Sequence, residues 1–198
     1  PTYSASEGSF TFNGTNQYFY VGNPANLNFY NNAAFTIEVV FKPNSLSGYQ
    51  RLISRFNGGS VGNYMLSLSD TRTAYYVEHT PYYLYGNTTV DSSTRYVMTQ
   101  VYDTSNYLTP YLNGVIDGAK TLYGTLLNQS ISVLIGAGYQ SGSPAQYYSG
   151  TIYAIRIYNR ALSAAEVLQD YQTIAAAKIK NPTTTGNIYK GVYTNLTN

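Results

Sequence analysis

Short stretches of alternating apolar and polar residues are the strongest pattern in the chain. Between residues 35 and 41, Phe, Ile, Val and Phe stand at every second position, and Thr36 and Glu38 lie between them. Successive side chains of a strand point to opposite faces, so this pattern predicts a half-buried strand. Residues 64–68, 73–79, 96–102 and 131–135 follow the same pattern. Many short strands separated by Gly, Asn, Asp and Ser predict a β-sandwich.

Two local motifs add a turn and a helix to this picture. Asn113-Gly114 lies between two apolar pairs, and this dipeptide tolerates the positive φ angles of a tight hairpin. Ser163 and Glu166 have the spacing of a helix capping box. The apolar residues that follow recur at helical intervals, which predicts one amphipathic helix over residues 163–177.

The C-terminal end changes in composition. From Asn181-Pro182 the chain is rich in Thr, Asn and Gly, and it has three consecutive Thr residues. We therefore predict one domain over residues 1–179 and an extended tail or linker over 180–198. Residues 181–198 contain few apolar side chains, and we expect them to contact neighbouring subunits as an assembly arm.

Composition and charge exclude several partners. Charged residues make up 10% of the chain, the net charge is +2, and the basic residues are scattered singly, which argues against nucleic acid. No apolar run approaches the roughly 18 residues of a membrane span, so we expect no membrane insertion. The chain has no cysteine, which leaves the redox compartment open.

Three stretches in order resemble one known family. Residues 9–18 are similar to the opening strand, turn and second strand of the laminin-G-like jelly roll in the concanavalin A-like lectin and glucanase superfamily. Residues 35–43 resemble its core strand, and residues 150–163 resemble the closing strand that leads into a short helix. The resemblance implies an all-β, two-sheet antiparallel jelly-roll sandwich with one short C-terminal helix. It also implies that residues 150–158 pair beside Phe10–Phe12.

The resemblance raises the question of glycoside hydrolysis. Laminarinase-type relatives place carboxylates two and four residues apart on one strand, and no such spacing occurs here. Glycoside hydrolysis needs two carboxyl groups at a set separation. The acidic residues between Glu38 and Asp117 are isolated from one another in sequence, and Glu166 and Asp170 are spaced as neighbours on a helix surface. His79 is the only histidine, so a serine hydrolase triad would have to use this one residue. We therefore expect no enzymatic activity, with a hydrolase as the less favoured alternative.

Calcium is the one metal ion that the resemblance brings in. Relatives often hold it through an acid in the opening turn, but Asn13 and Asn16 occupy that turn here, and Tyr153 stands where a second acid is common. Amide oxygens bind calcium more weakly than carboxylates do. We expect no required cofactor and name Asn13 and Asn16 as the candidate calcium ligands, beside the alternative of an ordinary Asx turn.

Tyrosine is the outstanding residue type, with 24 copies. Neighbours on a strand point to opposite faces, so at most one member of each adjacent pair is expected in the core. An exposed phenol offers a flat face and a hydroxyl to a sugar or protein. The flexible loops around residues 57–59 and 138–142 are expected to border the same surface. The candidate ligand-binding residues are Tyr75, Tyr76, Tyr82, Tyr83, Tyr85, Tyr139, Gln140, Tyr147 and Tyr148.

These observations favour a carbohydrate-binding or adhesion module. We expect its partner to be a polysaccharide or a glycoprotein, held by tyrosine-rich loops. The alternative is a structural or decoration protein of a virus particle or surface appendage, in which the same tyrosines pack against other proteins. Both hypotheses place the chain outside the cell, on a cell surface or on a virion surface.

Overall fold

The computed structural model describes residues 1–58, 62–78 and 83–177. A short 3₁₀ helix spans Ala25–Leu27, and the single α-helix among the described residues, α1, spans Ala164–Ala177. The strands in chain order are β1 (Thr2–Ser4), β2 (Ser9–Asn13), β3 (Phe19–Gly22), β4 (Phe35–Pro43), β5 (Tyr49–Phe56), β6 (Gly62–Ser69), β7 (Arg72–Val77), β8 (Tyr83–Thr89), β9 (Tyr96–Tyr102), β10 (Tyr107–Leu112), β11 (Val115–Ile116), β12 (Lys120–Thr121), β13 (Val133–Ile135), β14 (Gly138–Gln140), β15 (Ser143–Ala145) and β16 (Ser149–Tyr158).

Two antiparallel sheets form the sandwich. The eight-stranded sheet has the order β1-β2-β16-β4-β9-β10-β11, and β12 also pairs with β10. The six-stranded sheet has the order β3-β13-β5-β6-β7-β8. A separate hairpin joins β14 to β15, and β14 lies against β5. The jelly-roll prediction is confirmed.

The closing strand lies beside the opening strand, as the resemblance implied. Gly150, Thr151 and Ile152 of β16 pair with Phe12, Thr11 and Phe10 of β2. The other edge of β16 pairs with β4, so the two ends of the domain meet in the middle of one sheet.

The central strand β4 confirms the alternating pattern and corrects one part of its interpretation. Phe35, Ile37, Val39 and Phe41 enter the core between the sheets. The opposite face was expected to be exposed, yet Thr36 and Glu38 are fully buried. Other parts of the fold bury these two side chains. The segment after β16 and helix α1 cover that face, with Arg160 accepting a hydrogen bond from Thr36 through its carbonyl oxygen and apolar side chains of α1 packed on the sheet.

Both local motifs form as predicted. Asn113 and Gly114 have φ angles of 53° and 76° in the turn between β10 and β11. The backbone N–H of Glu166 donates to the Ser163 hydroxyl, and the backbone N–H of Ser163 donates to the Glu166 carboxylate. This reciprocal pair is a capping box.

Some predicted elements are shorter than expected or fall outside the described residues. The strand over 131–135 begins at Val133, and the strand over 73–79 ends at Val77. His79 and the predicted tail over 180–198 lie outside the described residues. No helix in the described part of the chain has both the length and the apolar character to cross a membrane.

Candidate functional site

The adjacent pair Tyr75 and Tyr76 does not behave as predicted. Tyr75 enters the core between the sheets, whereas Tyr76 points to the outer face of the six-stranded sheet, yet both are 0% exposed. Phe56, Met65 and Tyr83 cover the Tyr76 ring and form a second small apolar cluster with it. The expectation of one exposed ring is therefore wrong for this pair, because the outer face carries its own packing layer.

The second pair separates as the pleat requires. Tyr148 is 0% exposed and packs in the core near Phe12 and Phe41, so its predicted exposure to ligand is also wrong. Tyr147 is half-buried at the surface, and its ring centroid lies 6.2 Å from that of Tyr18. Its hydroxyl donates a 2.9 Å hydrogen bond to the Pro144 carbonyl oxygen, which fixes the ring against the β14–β15 hairpin.

A tyrosine row runs along the outer face of the six-stranded sheet, formed by Tyr83, Tyr85 and Tyr49. The Tyr83 and Tyr85 rings are nearly parallel with centroids 6.3 Å apart, and the hydroxyls of Tyr85 and Tyr49 are 3.4 Å apart. The Arg72 guanidinium lies 5.3 Å from the Tyr85 ring centroid, within cation–π range. Tyr49 remains 49% exposed at the end of the row.

The candidates Tyr139 and Gln140 lie on β14, in the hairpin beside this surface. Tyr139 is half-buried and Gln140 is exposed. The loop at Gly58 reaches this hairpin, since a Cβ atom on Gly58 would lie 3.5 Å from the Ser141 backbone nitrogen. The structure thus brings the two predicted loops together, while Tyr82 and Gly59 lie outside the described residues.

A shallow depression of about 380 Å³ opens next to the tyrosine row. Its volume lies at the lower end of the range of about 300–1,000 Å³ that is usual for small-molecule sites. Two tyrosines stand among serine and glutamine side chains there, and no lining residue carries a formal charge. We call it the Tyr49 depression, and it is lined by Gly14, Ser45, Ser47, Tyr49, Gln50, Gln146, Tyr147 and Ser149.

Hydrogen bonds hold the polar floor of the Tyr49 depression in place. Gln50 donates through Nε2 to the Ser45 carbonyl oxygen at 2.9 Å and accepts through Oε1 from the Ser149 backbone N–H at 2.8 Å. Gln146 accepts a 2.6 Å hydrogen bond from Arg51 Nε through its own Oε1. Because Oε1 is used, the Nε2 donors of Gln146 are the part that a ligand hydroxyl can engage.

Arg51 lies beneath the depression rather than in it. The residue is 4% exposed, and its guanidinium lies 5.3 Å from the Phe56 ring centroid. Burial lowers the pKa of Arg51, and the facing Tyr83 opposes that shift. Its contacts with Gln146 tie the hairpin to β5, because the Arg51 backbone N–H also donates to the Gln146 carbonyl oxygen.

The pKa values of two hydroxyls in the tyrosine row, those of Tyr49 and Tyr85, shift in opposite directions. Hydrogen bonding to Tyr85 lowers the pKa of Tyr49, and the same hydrogen bond raises the pKa of Tyr85 to about 12. Tyr85 therefore keeps its proton at neutral pH, and either hydroxyl can be the donor in this contact.

The candidate calcium residues form a self-contained turn. Asn13 Oδ1 accepts hydrogen bonds from the backbone N–H groups of Thr15 and Asn16, at 3.0 and 3.2 Å. Asn16 Oδ1 accepts from Asn13 Nδ2 at 2.9 Å. Both amide oxygens are thus engaged within an Asx turn. Within the described residues, no cluster of three or more His, Asp or Glu side chains has a metal-binding arrangement.

The buried carboxylates are committed to structural contacts. Glu38 forms an ion pair with Arg156 under helix α1, and burial raises its pKa. Glu78 Oε1 accepts from Gln129 Nε2, and burial raises its pKa as well. Asp117 accepts from Thr73, Tyr75 and Thr88. None of these carboxylates lines the Tyr49 depression.

The sequence analysis missed most of this depression. Tyr49, Gln50 and Gln146 were not among its candidates, and only Tyr147 was. One local signal was present, because a short Ser- and Gly-containing loop at residues 45–48 leads directly into Tyr49 at the start of a strand. Nothing local connects that loop with Gln146, which lies 95 residues beyond Arg51.

Comparison with protein families gives one match. Residues 13–168 match a laminin G-type family model that describes the concanavalin A-like lectin/glucanases superfamily. A search of curated protein sequences finds no significant match.

Solved structures with the same fold share little sequence with this chain. The CBM40 module of a Ruminococcus gnavus sialidase, bound to α2,6-sialyllactose, is 17% identical over 83% of this chain and 98% of that module, with a TM-score of 0.65. A leech intramolecular trans-sialidase is 17% identical over 91% of this chain but only 28% of its own length, with a TM-score of 0.66. A pentraxin from Limulus polyphemus is 16% identical over 84% of this chain and 82% of its own, with a TM-score of 0.60. These similarities show the fold.

Proposed function

The chain belongs to the concanavalin A-like lectin/glucanase superfamily, and we propose that it is a carbohydrate-binding module that catalyses no reaction. The Tyr49 depression is the observation that carries this proposal. Two tyrosines flank a polar floor there, and a sugar presents the complementary surfaces, namely apolar ring faces and hydroxyl groups at its edges. The ligand-bound CBM40 relative supports the same class of function.

The depression is pre-organised for a ligand. Tyr147 is fixed by its hydrogen bond to Pro144, and the floor glutamines are held by Ser45, Ser149 and Arg51. Because these side chains are already held in place, binding a ligand costs little side-chain entropy. More of the free energy of each contact therefore contributes to affinity. The serine hydroxyls both donate and accept, which suits sugar hydroxyls in either orientation.

The tyrosine row extends the surface beyond one sugar unit. Tyr85 touches Tyr49 at the rim of the depression, and Tyr83 follows Tyr85. A saccharide seated beside Tyr49 would therefore continue over two further aromatic rings. This arrangement favours an oligosaccharide or polysaccharide over a single sugar.

The uncharged lining of the Tyr49 depression bears on whether its ligand is a neutral or an acidic sugar. The eight lining residues carry no formal charge, and Arg51, which is 4% exposed, donates through Nε to Gln146. A carboxylated sugar needs a cationic or multiple N–H partner to replace its hydration. The Tyr49 depression therefore suits a neutral sugar rather than the sialic acid carried by the CBM40 ligand.

A non-catalytic role follows from the same lining. Glycoside hydrolysis requires a pair of carboxyl groups at the scissile bond, and the depression has none. We expect no release of reducing sugar from any glycan that binds.

A structural role in a virus particle or surface appendage is the second hypothesis. The edge strand β11 favours it, because Val115 and Ile116 are 68% and 57% exposed there. Exposed apolar side chains on an edge strand are suited to contact another protein. The two roles are compatible in one extracellular or surface-exposed protein.

Binding measurements on a glycan array, followed by calorimetry with the best ligand, test the proposal. Tyr49→Ala and Tyr147→Ala should each weaken binding by about tenfold or more, since loss of one stacking ring removes about 1–2 kcal/mol. Tyr123→Ala is the matched control, because Tyr123 is 71% exposed and does not line the depression.

Two outcomes would contradict the proposal. One is an array with no reproducible saccharide preference, which would favour the structural role. The other is an equal loss of binding in the Tyr123→Ala control, which would place the ligand elsewhere.

A further inference from the structure

A second depression lies on the outer face of the eight-stranded sheet. Its volume is about 430 Å³, and it is lined by Glu7, Lys42, Ser93, Thr94, Arg95 and Tyr153. Tyr153 also packs in a small cluster with Ile174 of α1, which places the depression beside the C-terminal half of the helix. We call it the Lys42 depression.

Two cations meet there because of strand register. Phe41 of β4 pairs with Tyr96 of β9, and both point into the core. Lys42 follows Phe41 in β4, and Arg95 directly precedes β9, so these two side chains lie near each other on the outer face. Like charges on facing positions repel each other, so this arrangement favours an anion beside the two cations.

Neither cation has an acidic partner in the part of the chain that the structure describes. The ion pairs there are Glu38 with Arg156 and Glu166 with Arg160. Arg95 is held by Tyr153, with the guanidinium 4.8 Å from the ring centroid. Its Nε atom is buried and has no hydrogen-bond partner among the described residues. A buried donor of this kind costs free energy until an acceptor reaches it.

The residues that line the depression carry an excess of positive charge. Glu7 lines the depression and accepts a 3.4 Å hydrogen bond from the Ser9 hydroxyl. Asp91 does not line the depression, and its carboxylate accepts hydrogen bonds from the hydroxyls of Ser93, Thr94 and Tyr96. Two cations against one carboxylate in the lining give a net charge of about +1.

We propose that the Lys42 depression binds one oxyanion group of an acidic saccharide, either a sulfate ester or a carboxylate. Arg95 presents a planar set of donors that matches an oxyanion, and Lys42 adds a point charge. A single pair of cations suits an isolated anionic group on an otherwise neutral polymer. A nucleic acid backbone would need a longer basic stripe, and the chain has a net charge of only +2.

Calorimetry at low ionic strength with dextran sulfate and with dextran of the same length tests this site. The intact chain should bind dextran sulfate in preference to dextran. Lys42→Gln and Arg95→Gln should each weaken that binding by about tenfold, the expected loss of one charge-assisted contact. Lys120→Gln removes the same charge from β12 and should leave binding unchanged. Arg95→Lys should recover part of the affinity, because it keeps the charge but lacks the planar donors.

Several results would overturn the proposal. They are equal binding of dextran and dextran sulfate, an equal loss in Lys120→Gln, and equal affinity for a DNA oligonucleotide of matched charge. Sodium sulfate should compete with dextran sulfate, and binding of galacturonate oligosaccharides tells whether carboxylates are also accepted.

Two variants distinguish the Lys42 depression from the Tyr49 depression. Tyr49→Ala should leave dextran sulfate binding unchanged, and Lys42→Gln should leave binding of the neutral glycan unchanged.

Discussion

The Thr73 hydroxyl donates a 2.7 Å hydrogen bond to the Asp117 carboxylate and so links the two sheets. Thr73 lies on β7 of the six-stranded sheet, whereas Asp117 directly follows β11 of the eight-stranded sheet. The same carboxylate accepts from the Tyr75 hydroxyl at 3.3 Å and from the Thr88 backbone N–H at 2.8 Å. Asp117 is therefore a buried acceptor for three donors of the opposite sheet.

Replacing Asp117 should destabilise the sandwich. Asp117→Ala leaves the donors of Thr73, Tyr75 and Thr88 buried without their acceptor, and we expect a loss of about 3 kcal/mol or more. Urea unfolding measures the change. Glu7→Gln is the control, because Glu7 is exposed and should alter the free energy of unfolding by less than about 0.5 kcal/mol. Equal stability of Asp117→Ala and the unmodified protein would contradict the linking role.

Gly86 should tolerate no side chain, for steric reasons. A Cβ atom there would lie 2.0 Å from both Asp117 Oδ2 and Thr73 Oγ1. Gly86→Ala should therefore displace the inter-sheet link and cost about 3 kcal/mol or more. Gly142→Ala is the matched comparison, since Gly142 has a φ of 81° but open space around it, and only about 1 kcal/mol of backbone strain is expected. The order of the two losses in urea unfolding is the informative result.

The helix cap should make stability depend on acidic pH. Hydrogen bonds from Arg160 and Ser163 lower the pKa of Glu166 from its ordinary value of 4.5 to about 2. A lowered pKa stabilises the fold above pH 4.5, and this contribution disappears as the pH falls toward 2. Glu166→Gln should therefore be less stable than the unmodified protein near neutral pH.

The difference between the two proteins should shrink between pH 4.5 and 2. Glu38 and Glu78 have raised pKa values, so their contribution is present at low pH and is lost as the pH rises through their folded-state values. Glu166→Gln keeps both Glu38 and Glu78. Their titration therefore does not contribute to the difference in the free energy of unfolding between this variant and the unmodified protein. A difference that stays constant down to pH 2 would mean that the cap acts through its neutral hydrogen bonds alone.

Calcium should affect stability little. Asn13 and Asn16 use their amide oxygens within the turn, and binding there would have to displace those hydrogen bonds. Extracellular calcium modules bind the ion at concentrations up to about 1 mM. Addition of about 1 mM calcium should leave the melting temperature nearly unchanged, and addition of a chelator should also leave it nearly unchanged. A large fall in melting temperature with chelator would instead show a well-occupied calcium site.

The segment over 181–198, which lies outside the described residues, remains predicted to mediate association. Its deletion should weaken self-association or assembly in sedimentation measurements and leave the unfolding transition of the sandwich in place. Unchanged association after this deletion would remove the idea of an assembly arm.

The sequence by itself determined the elements whose signals are local. The alternation in residues 35–41 fixes β4, Asn113-Gly114 fixes a hairpin turn, and Ser163 with Glu166 begins the helix. Each signal depends on residues within one strand or one helical turn of each other. The order of the similar stretches then fixed the pairing of β16 with β2.

Tertiary structure alone decided which surfaces remain open. Period-two alternation assigns Tyr75 and Tyr76 to opposite faces, but only the packing of Phe56 and Tyr83 against Tyr76 shows that both rings are buried. The same applies to Glu38, which alternation places on an outer face that α1 covers. Both depressions join residues far apart in the chain, as Lys42 with Arg95 illustrates. Such meetings depend on strand register and on the covering of sheet faces, and these are properties of the folded chain as a whole, not of any local pattern.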